Sequence, residues 1–99
     1  MVVGVCRLSL YLPGAQSLKD KRRVVRRLVD RTRERFNVAM AEVGFLDLWQ
    51  RAGLGFAVVS NDGQHVQSMI DTIVAFVDGQ QIAQIVDRDV DVQNYGEQE

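Results

Sequence analysis

The hydrophobic period of this chain switches between two and about 3.6 in a fixed order, and that order restricts the fold more than any single residue does. Residues 2–12, VVGVCRLSLYL, alternate: Cys6, Leu8, Leu10 and Leu12 point one way, Arg7, Ser9 and Tyr11 the other. A period of two is a strand, and Pro13-Gly14 ends it. Ser17 then stands as a helix N-cap with Asp20 three residues on, an arrangement that satisfies free backbone N–H groups at a helix start. Leu18, Val24, Val25, Leu28, Val29 and Phe36 fall in one arc at helical spacing, which predicts a helix over 18–36 with Asn37 as its C-terminal cap. Residues 38–45 and 53–60 read as strands, joined by the connection LDLWQR at 46–51. Asn61 or Asp62 caps a second helix that carries the stripe Val66, Met69, Ile70, Ile73, Val74 and Val77 and stops at Gly79. Residues 81–92 form a fourth strand, and 93–99 a polar C-terminal tail.

Strand, helix, strand, strand, helix, strand is the order of the ferredoxin-like split βαβ unit. The expected fold is therefore α+β: one domain over 1–92, a four-stranded antiparallel sheet with both helices on one face. Ninety-nine residues, 46% of them hydrophobic, suit one core. Cys6 has no second cysteine to pair with, which points to a reducing compartment. The apolar start lacks a basic leader and alternates, and no apolar run nears the ~20 residues of a membrane span. A cytoplasmic protein without a membrane partner is expected.

The sheet face away from the helices should be polar if water covers it. Here it reads Val3 and Val5 on strand one, Ala39, Ala41 and Val43 on strand two, and Ala57 and Val59 on strand three. A second copy of the chain is the simplest cover, so a homodimer through the open sheet face is expected.

Catalytic and metal chemistry find little footing. Cys6 lies on the Leu8 and Leu10 side of a strand, where a thiol is buried and inert. One Cys and one His, His65, cannot build a structural zinc site. Gly53-x-Gly55 lies inside a strand, without the third glycine or the following helix of a dinucleotide fingerprint. Asp87, Asp89 and Asp91 share a strand face, and a solvated acidic edge that discourages strand pairing accounts for them better than a cation does. No enzyme activity, no cofactor and no metal are expected.

Charge is the unusual feature. Net charge is −1, yet residues 17–35 hold nine of the twelve basic residues against three acidic ones, net +6, which leaves −7 for the rest. On a helical wheel Lys19, Arg22, Arg23, Arg26 and Arg33 fall along one flank, while Arg27 and Arg31 lie beyond Glu34. Lys21 projects into the apolar arc, where it must overhang the sheet edge or meet an anion. Most charge runs are solvated faces, but this one crowds the positive end of the helix dipole, where each cation is placed unfavourably by a few tenths of a kcal/mol. Cations gathered there suit a bound anion such as a nucleic-acid phosphate. Trp49, the sole Trp, sits in the connection beside Gln50 and Arg51. That setting suits stacking on a base, although packing of the indole against the core or a dimer seam is the commoner arrangement. Strands one and three lack the mid-sheet aromatics of an RNA-reading sheet, so contact should run through the helix.

The segments SLKDKRR at 17–23, RFNV at 35–38, AEV at 41–43, WQRA at 49–52 and Val59-Ser60 resemble the YlxP-like family of small bacterial proteins over nearly the whole chain. The resemblance implies the ferredoxin-like fold and carries over no catalytic residue. The family's genes neighbour those of translation initiation and ribosome maturation factors, which associates it with RNA or the ribosome. The expectation is a non-enzymatic accessory protein that binds RNA or the ribosome through Lys19, Lys21, Arg22, Arg23, Arg26 and Arg33, with Trp49 and Arg51 at the periphery. The alternative is a dimeric regulatory or scaffold module for a protein partner or a small anion.

Overall fold

A computed structural model describes residues 1–96. The elements run β1 (Val2–Tyr11), α1 (Leu18–Arg35), β2 (Ala39–Gly44), β3 (Arg51–Ser60), α2 (Gly63–Gly79) and β4 (Gln84–Asn94). They build one antiparallel sheet in the order β2-β3-β1-β4, with both helices on one face. This is the ferredoxin-like α+β fold, in the element order expected.

The alternation of β1 places Val2, Cys6, Leu8 and Leu10 toward the helices. Opposite Gly4, Cys6, Leu8 and Leu10 in the ladder stand Val58, Phe56, Leu54 and Ala52 of β3, all buried. Val25 and Leu28 of α1 and Val66, Ile70, Ile73 and Val77 of α2 close the core from above. Phe36 and Phe76 meet edge to face, centroids 5.4 Å apart, where the two helices end.

At Gly4 α2 packs close against the sheet. A Cβ there would lie 2.5 Å from Val66 Cγ1 and 2.8 Å from Ile70 Cδ1, so only a glycine admits the helix at this depth.

The caps form as the residue types require. Ser17 Oγ accepts from the Asp20 N–H at 3.0 Å, and Asp20 Oδ2 accepts from Gln16 N–H, one residue outside the usual reciprocal bond. For α2 the cap is Asp62, which accepts from the Gln64 N–H. The end of α1 differs from expectation: Phe36 is the C-cap, in extended conformation, and its N–H donates to the Thr32 carbonyl at 2.8 Å.

Two strand limits also differ. β3 begins at Arg51 because Arg51 and Ala52 pair with Tyr11 and Leu10. β4 begins only at Gln84, after Gln81 adopts a left-handed φ of 57°, and it continues to Asn94 by pairing Gln93 with Val3 and Asn94 with Val2. The expected tail thus loses residues 93 and 94 to the sheet, and 97–99 lie outside the described residues. A bulge in β4 turns the unpaired Val86 out to solvent. Among the described residues no helix is long and apolar enough to cross a membrane.

Cys6 is buried. Burial pushes its thiol up from the ordinary value, against the pull of the Arg88 cation. In the native protein at pH 8, a thiol reagent is expected to label Cys6 about tenfold or more slowly than in the denatured chain. Equal rates in absorbance-monitored labelling would contradict that burial.

Candidate nucleic-acid interface

The candidate surface begins at the first turns of α1. Lys19, Arg22, Arg23, Arg26, Arg27 and Arg33 are all exposed. Among the described residues the ion pairs are Lys21–Glu42 and Arg88–Asp71, so none of these six cations is neutralised. Asp20, the acid nearest the start of α1, is occupied with the cap.

Two further arginines of α1 are engaged by α2. Arg31 Nη1 donates to Gln80 Oε1 at 3.0 Å. The Arg35 guanidinium lies over the rings of Phe36 and Phe76, 5.8 and 5.9 Å from their centroids. The basic set therefore divides into a free group and an anchored one, and helical spacing alone does not show that division.

Arg27 belongs with the free group. The wheel placed it on the far side, yet it lines a groove of about 310 Å³ together with Arg23, Leu12, Ala15 and Ile82. Arg23 and Arg27 are one turn apart, so both stand on the same wall of the groove. The groove's second wall comes from the β1–α1 connection and the approach to β4, and nothing local in the sequence marks it.

Lys21 corrects the sequence reading. Its side chain is fully buried, and its ammonium donates to Glu42 Oε2 at 2.7 Å, to the Phe45 carbonyl at 2.9 Å, and to the Leu46 and Arg51 carbonyls at 3.3 and 3.4 Å. The anion that its place in the apolar arc demanded is Glu42 on β2. Lys21 is thus removed from the phosphate-contacting set, and it pins the β2–β3 connection to α1.

That connection carries the second half of the surface. Gln50 Nε2 donates to the Pro13 and Ala15 carbonyls, each at 3.1 Å, and the Leu12 N–H donates to the Gln50 carbonyl at 2.9 Å. Held by these bonds and by Lys21, the connection abuts the end of the molecule where α1 starts. Trp49 does not fold back on the core: it is 55% exposed, with Leu46 and Leu48 exposed beside it.

Arg51 also departs from the expected peripheral contact. It is half-buried, its guanidinium sits 4.5 Å from the Phe45 ring centroid, and its Nε is buried without a hydrogen-bond partner. It supports the connection from within, together with Phe45, whose φ of 56° bends the chain there. The structure brings Lys19, Arg22, Arg23, Arg26 and Trp49 to one end, leaves Arg33 farther along the helix, and takes Lys21 and Arg51 inside.

Elsewhere, Asp87, Asp89 and Asp91 stand on the open sheet face opposite Ser9, Arg7 and Val5. Among the described residues no group of three or more His, Cys, Asp or Glu is placed to hold a metal ion. His65 is exposed in the first turn of α2. Arg88 pairs across to Asp71 of α2 and holds that carboxyl below the ordinary carboxylate range.

Comparison with known proteins places the chain in a family without assigning an activity. Over 77 residues the chain is 34% identical to a Bacillus subtilis (strain 168) protein named "Uncharacterized protein YlxP", an alignment that covers 78% of this chain and 84% of that protein. Residues 3–90 match the family described as "Protein of unknown function (DUF503)". The match runs from the first strand into the last, and the chain belongs to the DUF503, YlxP-like family.

Proposed function

We propose that the protein is a non-enzymatic accessory factor of the cytoplasm that binds RNA, free or in the ribosome, through the basic face of α1, in translation or ribosome maturation. One observation carries the reading: six exposed cations on a single helix have no acidic partner among the described residues. Such a surface attracts a phosphate backbone by releasing its counterions, with little dependence on base sequence. Exposed Trp49 at the same end adds a ring on which an unpaired base can stack.

Binding to ribosomal RNA should weaken steeply with salt, each contacted phosphate contributing about 0.7 to the log–log slope for single strands. The triple variant Arg22→Gln, Arg23→Gln, Arg26→Gln is expected to flatten that slope by about 2 and to lose co-sedimentation with ribosomes at physiological salt. Co-sedimentation at the wild-type level would end this reading.

Leu46 and Leu48 favour a second reading, because exposed aliphatic side chains beside Trp49 suit a protein surface better than a base. In that case the chain is a regulatory or scaffold module for a protein partner or a small anion. Ribonuclease treatment separates the two: it abolishes association carried by RNA and spares association carried by protein.

A further inference from the structure

The open face of the sheet carries three exposed valines, Val5 at 45%, Val43 at 53% and Val59 at 58%, around one cation, Arg7. On β4 the acid row Asp87, Asp89 and Asp91 flanks them. Arg7 stands directly opposite Asp89 in the β1–β4 ladder, yet the two make no ion pair. The Arg7 side chain leans the other way, across β3 at Gly53 and Gly55, until its Nη2 lies 3.2 Å from where a Gly44 Cβ would be. Cation and acids are thus held apart on the same face.

We propose that this face binds a second copy of the chain, in one defined orientation. Two identical sheets meet face to face about a twofold axis that lies between them. If the axis runs across the strands, each strand lies on its own copy, and the acid rows of the two β4 strands oppose each other. If the axis runs along the strands, the order β2-β3-β1-β4 meets its reverse, so β1 lies on β3 and β4 lies on β2. Charge selects the second arrangement.

The ladder then decides what touches. Val3 pairs with Val59 and Val5 with Ala57 at equal heights along β1 and β3. An axis along the strands preserves height, so Val3 and Val5 pack on the partner's Val59 and Ala57, and the reverse contact repeats by symmetry. Arg7, which already reaches toward β2, comes beneath the partner's β4, where Asp89 stands at the same height. A hollow of about 310 Å³ between Arg7, Gly55 and Asp89 receives the partner's Val43. The missing side chain at Gly44 leaves the space that the Arg7 guanidinium occupies.

The size also fits. Four strands about 4.8 Å apart, of 10, 6, 10 and 11 residues at about 3.3 Å each, present about 600 Å² in projection. Side-chain relief brings that toward the ~800 Å² per partner of a standard specific interface.

The test is sedimentation equilibrium on the full chain and three variants, with circular dichroism to confirm the fold of each. At about 50 µM the wild type should weigh twice the 11.2 kDa of one chain. Arg7→Glu and Asp89→Arg should each weaken self-association about tenfold or more, and the double swap should restore it. Val59→Asp should give monomers. A monomeric wild type, a dimer indifferent to Val59→Asp, or a swap that fails to restore association would each overturn the proposal.

Discussion

Lys21→Met is expected to destabilise the protein by about 3–5 kcal/mol, the usual effect of removing one partner from a buried ion pair. The substitution keeps most of the side-chain volume, so the loss is electrostatic. Glu42 would remain largely enclosed, its side chain 17% exposed, without a counter-charge. The carbonyls of Phe45, Leu46 and Arg51 would lose their common donor. Against the roughly 5–15 kcal/mol total stability of a domain this size, that is a large fraction. Glu42→Gln should be milder, about 1.5–3 kcal/mol, because the ammonium keeps its carbonyls and an amide oxygen. Trp49, the only Trp, lies on the pinned connection, so its fluorescence anisotropy should fall in Lys21→Met below the global unfolding transition. Urea midpoints that match wild type would show that the clamp contributes nothing net.

Gly4→Val should rank next, with a loss of about 3 kcal/mol, the upper end for overpacking a filled core. Val66 and Ile70, which a side chain at position 4 would strike, are themselves fully buried. They have no free space to turn into, so α2 must lift from β1. Gly14→Ala is the control. A Cβ at position 14 meets nothing within 4 Å, and the change should stay within about 0.5 kcal/mol. Equal thermal shifts in the two variants would deny the close approach of α2.

The fold was legible because its information is local. The alternation of β1, the Ser17 and Asp62 caps and the stripes of both helices depend on neighbours a few residues apart. What was not legible depends on distant partners. The sequence marks Lys21 as a cation in an apolar arc, but Glu42 reaches it only through the pairing of β2 with β3. Arg31 and Arg35 look as free as Arg22 until α2 packs beside them. Arg27 joins Arg23 only when the approach to β4 closes the groove. The start of β4 was missed because Gln81 holds a left-handed turn that glycine or asparagine usually signals. Trp49 lacked any local cue: its exposure follows from the bonds that tie Gln50 and Lys21 to neighbouring segments.

Placing both helices on one side of the sheet has a consequence for valency. The free cations of α1 and the open valine face lie on opposite sides of each subunit. Self-association through the valines would leave the cations uncovered, so the two surfaces do not compete. It would also turn the two basic helices outward, about 30 Å apart across two sheets and two helix layers. Such a pair has the geometry to bridge two RNA segments, or two regions of one folded RNA, but not to close around a single strand. Avidity would then depend on whether the RNA can reach both outer surfaces at once.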